Sequence, residues 1–409
     1  MDMMEKTMLN VERFIAKYVT KRERSLFCED IADHRAELEA RIAGKRVLVI
    51  GGAGSIGSSF IRAILPFRPS TLVVVDTNEN TLTELTRDLR STRGLFIPDD
   101  YLPYPMDFAS TTFARMFRHR GGFDVVANFS AHKHVRSEKD IFSIEALIRN
   151  NVLNARRLLA LMAEFSPEAY FCVSTDKAAN PVNIMGASKR VMEDLIFSYA
   201  DRFPVKTARF ANVAFSNGSL PAGFLARLAK RQPLSAPMDV KRYFVSPEES
   251  GQICMLACFL GENREIFFPK LEEAQMMSFD EIATALLREC GYNVLPCASD
   301  EEALERAEVL WRGGRDYPVR YTPSDTSGEK PVEEFFTGQE TVDRGRFRAL
   351  GVIIGKEISD KARLAALLDA LERMFTREAL TKADVVRTLQ DYLPSFEHIE
   401  TGKSLDKKM

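Results

Sequence analysis

The sequence predicts an α/β protein built on a doubly wound parallel sheet, with a smaller lobe laid against it. Three observations carry that expectation. Short, continuous apolar runs, as in strands buried on both faces, alternate with helical segments from Lys45 to Phe210. The first run leads straight into a glycine-rich turn. Polar clusters at 51–57, 76, 130–134, 174–177 and 212 each follow a predicted strand, and open α/β sheets bind ligands beyond the carboxyl ends of their strands.

Composition narrows the function classes. The chain has 409 residues, 45% hydrophobic and 28% charged, with a formal net charge of −2. That charge offers nothing to nucleic acid or an anionic membrane. Six cysteines without C-x-x-C spacing and five histidines predict no metal site and reduced thiols. The N-terminus has no signal-peptide pattern, and no apolar run approaches the about 20 residues of a membrane helix. A soluble, cytoplasmic protein is expected.

Residues 1–44 read as a helical arm. Phe14, Ile15, Tyr18, Val19, Ile31, Leu38 and Ile42 recur at helical intervals among charges. Packing on its own chain and serving as an oligomerisation arm are both open. Residues 45–50 (KRVLVI) form the first strand, followed by Gly51 and a G-x-G-x-x-G made by Gly52, Gly54 and Gly57, then a helix over 58–65. A second strand over 72–75 ends in Asp76, 19 residues after Gly57. The spacing is close to the ~20 expected of a ribose-binding acid. Glycines let the backbone approach a pyrophosphate, and the helix N-terminus stabilises its charge. Gly51, Gly52, Gly54, Ser55, Ile56, Gly57 and Asp76 therefore predict a Rossmann-type dinucleotide site. Thr77, rather than an arginine, favours NAD over NADP.

A helix over 79–90 precedes a polar segment over 99–107, where Asp107 is placed to close over an adenine ring. A strand over 123–129 leads into Ser130-Ala131-His132-Lys133-His134-Val135, and a long helix over 145–165 carries Arg149-Asn150-Asn151. The strand over 170–173 delivers Ser174, Thr175, Asp176 and Lys177. After a loop marked by Asn180, Pro181 and Asn183, a helix places Met185 and Lys189 on one face, four residues apart. A strand over 206–210 leads to Asn212. Beyond it short strands, loops and helices mix, as in a substrate lobe mainly over 214–340. Helices over 361–374 and 382–392 and a charged, disordered tail over 401–409 follow. The expected division is an arm over 1–44, a dinucleotide-binding domain with interleaved lobe over 45–345, and C-terminal helices and tail over 346–409.

Six blocks carry a family resemblance: GGAGSIGS at 51–58, SAHKHV at 130–135, STDKAANPVNIMGASKR at 174–190, ARFANV at 208–213, RYFVSPEES at 242–250 and GEKPVEEFF at 328–336. From about Lys45 to Phe396 the chain resembles extended short-chain dehydrogenases/reductases. More narrowly it is similar to the UDP-N-acetylglucosamine 4,6-dehydratases of bacterial polysaccharide and glycan biosynthesis. The resemblance implies NAD as cofactor, a UDP-sugar as substrate and a homo-oligomer. It makes Asp176 the acid at the sugar O6, Lys177 the base at C5 and Thr175 the partner of O4. Lys189 would bind the nicotinamide ribose, and Ser130 would face the cofactor. Lys133, His134, Asn212, Arg242 and Glu329 would contact substrate.

Three positions depart from the pattern. Met185 stands where the superfamily has the tyrosine of Tyr-x-x-x-Lys, Thr326 stands for an arginine, and Ala211 replaces a glycine. A subset of these dehydratases shares the methionine, including membrane-anchored members whose N-terminal spans are missing here. A thioether neither donates a proton nor removes one, which predicts retention at C5 through Lys177. The base at O4 stays open, between Thr175 relaying to Lys189 and water. A sugar-nucleotide epimerase and a non-catalytic NAD-binding regulator are the alternatives.

Overall fold

A computed structural model describes residues 9–134, 138–324, 330, 332, 334–356 and 360–400. Its centre is a nine-stranded sheet. The first part consists of β1 (Arg46–Ile50), β2 (Thr71–Asp76), β3 (Asp100–Pro105), β4 (Val125–Asn128), β5 (Ala169–Thr175) and β6 (Val205–Phe210). The short strands β7 (Asn212–Val213), β8 (Leu234–Pro237), β9 (Lys241–Arg242) and β10 (Phe244–Val245) leave the sheet, and β11 (Glu265–Pro269) returns to it. After β12 (Met277–Ser278), β13 (Asn293–Cys297) and β14 (Asp316–Thr322), β15 (Thr341–Asp343) and β16 (Leu350–Ile354) complete it.

The spatial order is β15-β16-β11-β6-β5-β4-β1-β2-β3. All pairs from β3 to β11 are parallel, whereas β16 and β15 join antiparallel. β1 and β4 are apolar and buried because helices cover both faces. Chain direction across the sheet reverses between β1 and β4. The reversal opens a crevice at their carboxyl ends, and the registers Ile50↔Asn128 and Asn128↔Cys172 bring Gly51, Ser130 and Ser174 to one edge.

Three expectations need correction. The polar segment over 99–107 contains an edge strand, β3. Its Pro103 and Pro105 hide the strand pattern, and an edge tolerates their missing N–H groups. The helix expected over 145–165 begins at Ile141, capped by the Asp140 carboxylate, and winds through a π-turn at Arg149–Leu153. Residues 346–409 are not only helices and tail: Leu350–Ile354 is a sheet strand. The helices Lys361–Met374 and Lys382–Tyr392 sink Leu364, Leu367, Leu371, Val385 and Leu389 into the same core.

The lobe is a three-stranded parallel sheet, β13-β14-β8, with the helices Leu220–Ala229 and Phe279–Glu289 against it. The arm packs on its own chain at both ends. Phe14, Ile15 and Val19 enter the lobe core beside Phe224, Phe244 and Tyr317, whereas Phe27, Leu38 and Ile42 join the main core. Between them Arg22 grips the buried Glu249 carboxylate with Nε and Nη2 (2.8 and 2.7 Å). Because Phe14 is 1% exposed, Phe14→Ala should destabilise the protein by about 3–5 kcal/mol, read as a lower urea midpoint.

Candidate active site

The glycine turn is built by close approach. Gly51 adopts φ +70°, and a Cβ there would lie 2.7 Å from the Ser130 nitrogen on the loop after β4. A Cβ at Gly57 would run into the Gly51 carbonyl. The helix Ser55–Ile64 therefore starts hard against β1. Its N-cap, Gly54, offers no side chain to the first-turn N–H groups, which leaves them for an anion. Asp76 ends β2 beside this turn, accepting the Ala53 N–H on Oδ2 and the Asn78 N–H on Oδ1 (both 3.0 Å). Asp107 is exposed just past β3, its Oδ1 taking the Ala109 N–H at 2.8 Å. The Ser55 hydroxyl accepts the Asn217 N–H (2.8 Å) and ties the turn to the loop after β7.

Ser130 donates its hydroxyl to Asn150 Oδ1 (3.3 Å). Its loop is set by Asn151, which is 2% exposed. Asn151 Oδ1 accepts the His132 N–H (2.9 Å), and its Nδ2 donates to the His132 carbonyl (3.0 Å) and to Ser188 Oγ (3.1 Å). The π-turn aims Asn150 and Asn151 out of their helix. Two adjacent asparagines inside a helical pattern, where their side chains compete for backbone bonds, are a sequence signal that could have found them. Lys133 and His134 are exposed on this loop, and a Cβ at Gly218 would come 2.9 Å from His134 Nε2.

At the end of β5 one oxygen collects three donors. Asp176 Oδ1 accepts the Thr175 hydroxyl (2.7 Å), the Lys177 N–H (2.9 Å) and the Lys177 ammonium (3.2 Å). Asp176 is 5% exposed. The helix Ile184–Ser198, capped by Asn183, brings Met185 and Lys189 beside this turn. Met185 is buried, with its N–H donated to Glu138 Oε1 (3.0 Å). Lys189 Nζ donates to the Val173 carbonyl (2.9 Å). Burial pushes this ammonium below the usual lysine range, against the opposing pull of Cys172 and Glu193.

Behind the turn lies a buried ion network absent from the sequence reading. Arg209 of β6 has no exposure. It pairs through Nε and Nη2 with Glu193 (2.9 and 2.8 Å), and through Nη1 and Nη2 with Glu340 (2.7 and 2.8 Å). Ser174 Oγ donates to Glu193 Oε1 at 2.6 Å. Burial pushes the Glu193 carboxyl up, but Arg209 overrides it and holds it down at about 2.

The lobe contributes less directly. Arg242 is buried on β9 and donates through Nη1 to the Lys241 carbonyl (2.9 Å). Asn212, on β7, is half-buried, with its N–H donated to the Tyr243 carbonyl (3.0 Å). Glu329, Thr326, Val135 and the tail over 401–409 lie outside the described residues. A cavity of about 650 Å³ opens elsewhere, behind the Ser55–Ile64 helix, and shares only Ala53 and Ser55 with the glycine turn. The crevice at the strand ends, not this cavity, holds the converging polar groups. Among the described residues no group of three or more His, Cys, Asp or Glu could hold a metal ion, and no helix is long and apolar enough to cross a membrane.

The family model described as polysaccharide biosynthesis protein matches residues 47–350. The chain belongs to that family. It is an extended short-chain dehydrogenase/reductase of the polysaccharide-biosynthesis type, and its glycine turn and sheet order agree with that membership. The chain is 32% identical over 247 residues to an uncharacterized membrane protein of Methanocaldococcus jannaschii, covering 58% of this chain and 70% of that one. To the probable polysaccharide biosynthesis protein EpsC of Bacillus subtilis it is 29% identical, over 63% of this chain but only 42% of that relative's length. To a UDP-N-acetylglucosamine 4,6-dehydratase (inverting) of Campylobacter jejuni it is 25% identical, over 64% of this chain and 77% of the relative. The crystal structure of DesIV, a dTDP-glucose 4,6-dehydratase of Streptomyces venezuelae with NAD and TYD bound, shares the fold at 19% identity. Its TM-score is 0.55, over 85% of this chain and 97% of that one.

In this family member, Asn151→Ala should cost about 1–3 kcal/mol, because it removes the partner of both the His132 amide and the His132 carbonyl; denaturant unfolding measures it. Arg209→Ala leaves Glu193 and Glu340 buried without their partner and should cost about 3–5 kcal/mol. The pH sign follows from the depressed Glu193. Its contribution is full above the ordinary glutamate value of 4.5 and is lost as pH falls toward about 2. Unfolding free energies of the parent and Arg209→Ala should therefore converge across that acid window.

Proposed function

We propose that the protein is an NAD-dependent nucleotide-sugar 4,6-dehydratase that converts UDP-N-acetylglucosamine to a UDP-4-keto-6-deoxy-N-acetylhexosamine, with retention at C5, for bacterial glycan or polysaccharide biosynthesis. The supporting observation is the single Asp176 oxygen that meets both the Thr175 hydroxyl and the Lys177 side-chain nitrogen. Loss of the C6 hydroxyl needs an acid at O6 and a base at C5, and C5–H becomes acidic only once C4 is a ketone.

The residues present fit the dinucleotide. The uncapped first turn after Gly54 suits a pyrophosphate, Gly51 and Gly57 let the turn and helix close up beneath it, and Asp76 suits the adenosine ribose. Lys189, buried at the end of β5 with Nζ on the Val173 carbonyl, would take the nicotinamide ribose. NAD held there would supply the redox chemistry, hydride removal at C4 and its return at C6.

The chain's own residues handle the protons. Thr175 already donates to Asp176, so a proton leaving O4 passes through the hydroxyl to the carboxylate. Lys189 faces the Val173 carbonyl and is not on that path. Asp176 then delivers the proton to O6 as water leaves. Lys177, acting as its neutral amine with one N–H still donated to Asp176, takes the C5 proton and returns it on the same face. The O4 proton departs in the water, and both side chains end as they began. The Campylobacter relative is named inverting. Retention here rests on Met185, which offers no proton to the opposite face.

The test is proton NMR of the purified protein with UDP-N-acetylglucosamine in D₂O, without added NADH. A 4-keto-6-deoxy product with deuterium at C5 and the xylo configuration at early time is expected. An arabino product removes retention but keeps the dehydratase. A product changed only in configuration at C4 gives the epimerase reading instead, and cofactor binding without turnover gives the regulator. Asp176→Asn should lower turnover by about 10²–10⁴-fold while the NAD released on denaturation stays unchanged.

A further inference from the structure

We propose that Glu397–Glu400 is a strap that sets the catalytic turn, acting through Glu138 as a positioning residue; the proposal rests on the dehydratase reading of that turn. The strap follows the helix Lys382–Tyr392. Leu393 and Phe396 anchor it in the main core, and Gln390 Nε2 donates to the Phe396 carbonyl (3.2 Å). From this anchor the chain runs along the loop that precedes the catalytic helix. The Ile399 N–H donates to the Val182 carbonyl at 3.0 Å. Val182 immediately precedes Asn183, whose Oδ1 caps the helix by accepting the Gly186 N–H (2.7 Å).

A second line of contacts reaches the same helix end. Glu138 is 6% exposed, and its Oε1 accepts the first-turn Met185 N–H (3.0 Å). Its Oε2 faces His398 Nε2 at 3.6 Å. Lys382 Nζ donates to the Glu138 carbonyl (3.2 Å) and pairs with Glu400. The strap and the helix behind it thus hold Glu138 from the side, and Glu138 holds the helix start, where a carboxylate also meets the favourable end of the helix dipole.

The inner side of that turn has no slack. A Cβ at Gly186 would lie 2.6 Å from the Lys177 carbonyl oxygen. The first turn is therefore clamped between Lys177 within and Glu138 with the strap without. Movement of the turn on release of the strap would carry Lys177 and its partner oxygen on Asp176 with it. None of the strap residues belongs to the reacting constellation, so the effect is on placement.

Two truncations of the full protein test this. One ends at Glu400 and keeps the strap; the other ends at Phe396 and removes it while keeping the buried anchor. The Phe396-ended chain should lose about 10- to 100-fold in kcat, with KM and NAD content within about twofold of the parent, since misplacement costs turnover rather than binding. Hydrogen–deuterium exchange should quicken over 176–188 and stay unchanged in β1 and β2. The Glu400-ended chain should match the parent in both readouts. Unchanged kcat and exchange in the Phe396-ended chain, or an equal loss in the Glu400-ended one, overturns the proposal. If the shorter chain fails to fold, the double variant His398→Ala with Ile399→Pro removes the same two contacts in the full chain, and unaltered exchange over 176–188 overturns it there. The exchange readout needs no turnover, so failure of the dehydratase reading in the parent is seen separately from failure of the strap.

Discussion

A guanidinium with no exposure, Arg209, joins parts of the chain that hydrophobic contact alone would leave free to slide. It meets Glu193 on the catalytic helix and Glu340 just before β15, each in a two-pronged pairing. Removing these ions from water costs several kcal/mol each, and only good geometry offsets it. Good geometry in turn constrains the fold, because a planar fork meeting two carboxylates fixes angles as well as distances. Arg190 and Lys356 approach Glu340 at 3.3 and 3.9 Å, and Lys356 approaches Asp194 at 3.9 Å. Three cations thus face three carboxylates in one layer, with Arg209, Glu193 and Asp194 buried in it and Arg190, Lys356 and Glu340 half-buried. The helix Ile184–Ser198, β6 and the antiparallel edge of the sheet are locked in register by it.

That helix passes the constraint to the site. Met185, Lys189 and Glu193 follow at four-residue steps, so they lie along one stripe. Glu193 fixes the far end against Arg209 and takes the Ser174 hydroxyl at the end of β5. Lys189 lies in the middle, where burial disfavours its charge and Glu193 favours it. Met185 needs no hydrogen-bond partner for its side chain and is only 3% exposed. A tyrosine so placed would need a partner for its hydroxyl. The stripe therefore runs from a paired charge, through a partly compensated one, to an apolar end beside the chemistry.

What the sequence made legible was local. β1, the glycine turn, Asp76 and the Thr175–Lys177 turn are each specified by a few consecutive residues, and the structure places all of them at the carboxyl edge of the sheet. Features that depend on distant partners were hidden. Arg209 and Glu340 are 131 positions apart, and no periodicity announces their meeting. β16 reads as an isolated five-residue apolar run, and only its pairing with β11 makes it a sheet strand. The arm showed a helical stripe, but amphipathicity does not say what covers it. Phe14 and Phe27 enter different cores. Asn151 was visible as an unusual residue for a helix interior, though its partners His132 and Ser188 were not.

The proton handling proposed for three consecutive residues has a structural consequence. Thr175, Asp176 and Lys177 share one turn, in which the Lys177 N–H also points toward Thr175 Oγ1 at 3.4 Å. Their mutual distances depend on a handful of backbone and side-chain torsions. In a site assembled from separate elements, by contrast, every ångström of drift between elements enters the reacting distances. On the proposed reading, Met185 offers no acid–base group from the neighbouring helix, so the proton transfers fall to this turn. The remaining demand on the tertiary structure is to hold a single turn at the right height above the crevice. The contacts around the turn meet that demand from several sides: Gly186 against the Lys177 carbonyl, Asn183 capping the helix start, Glu138 on the Met185 amide, and Ser174 bonded to Glu193 beneath. Stability of the network below and accuracy of the turn above are therefore one requirement.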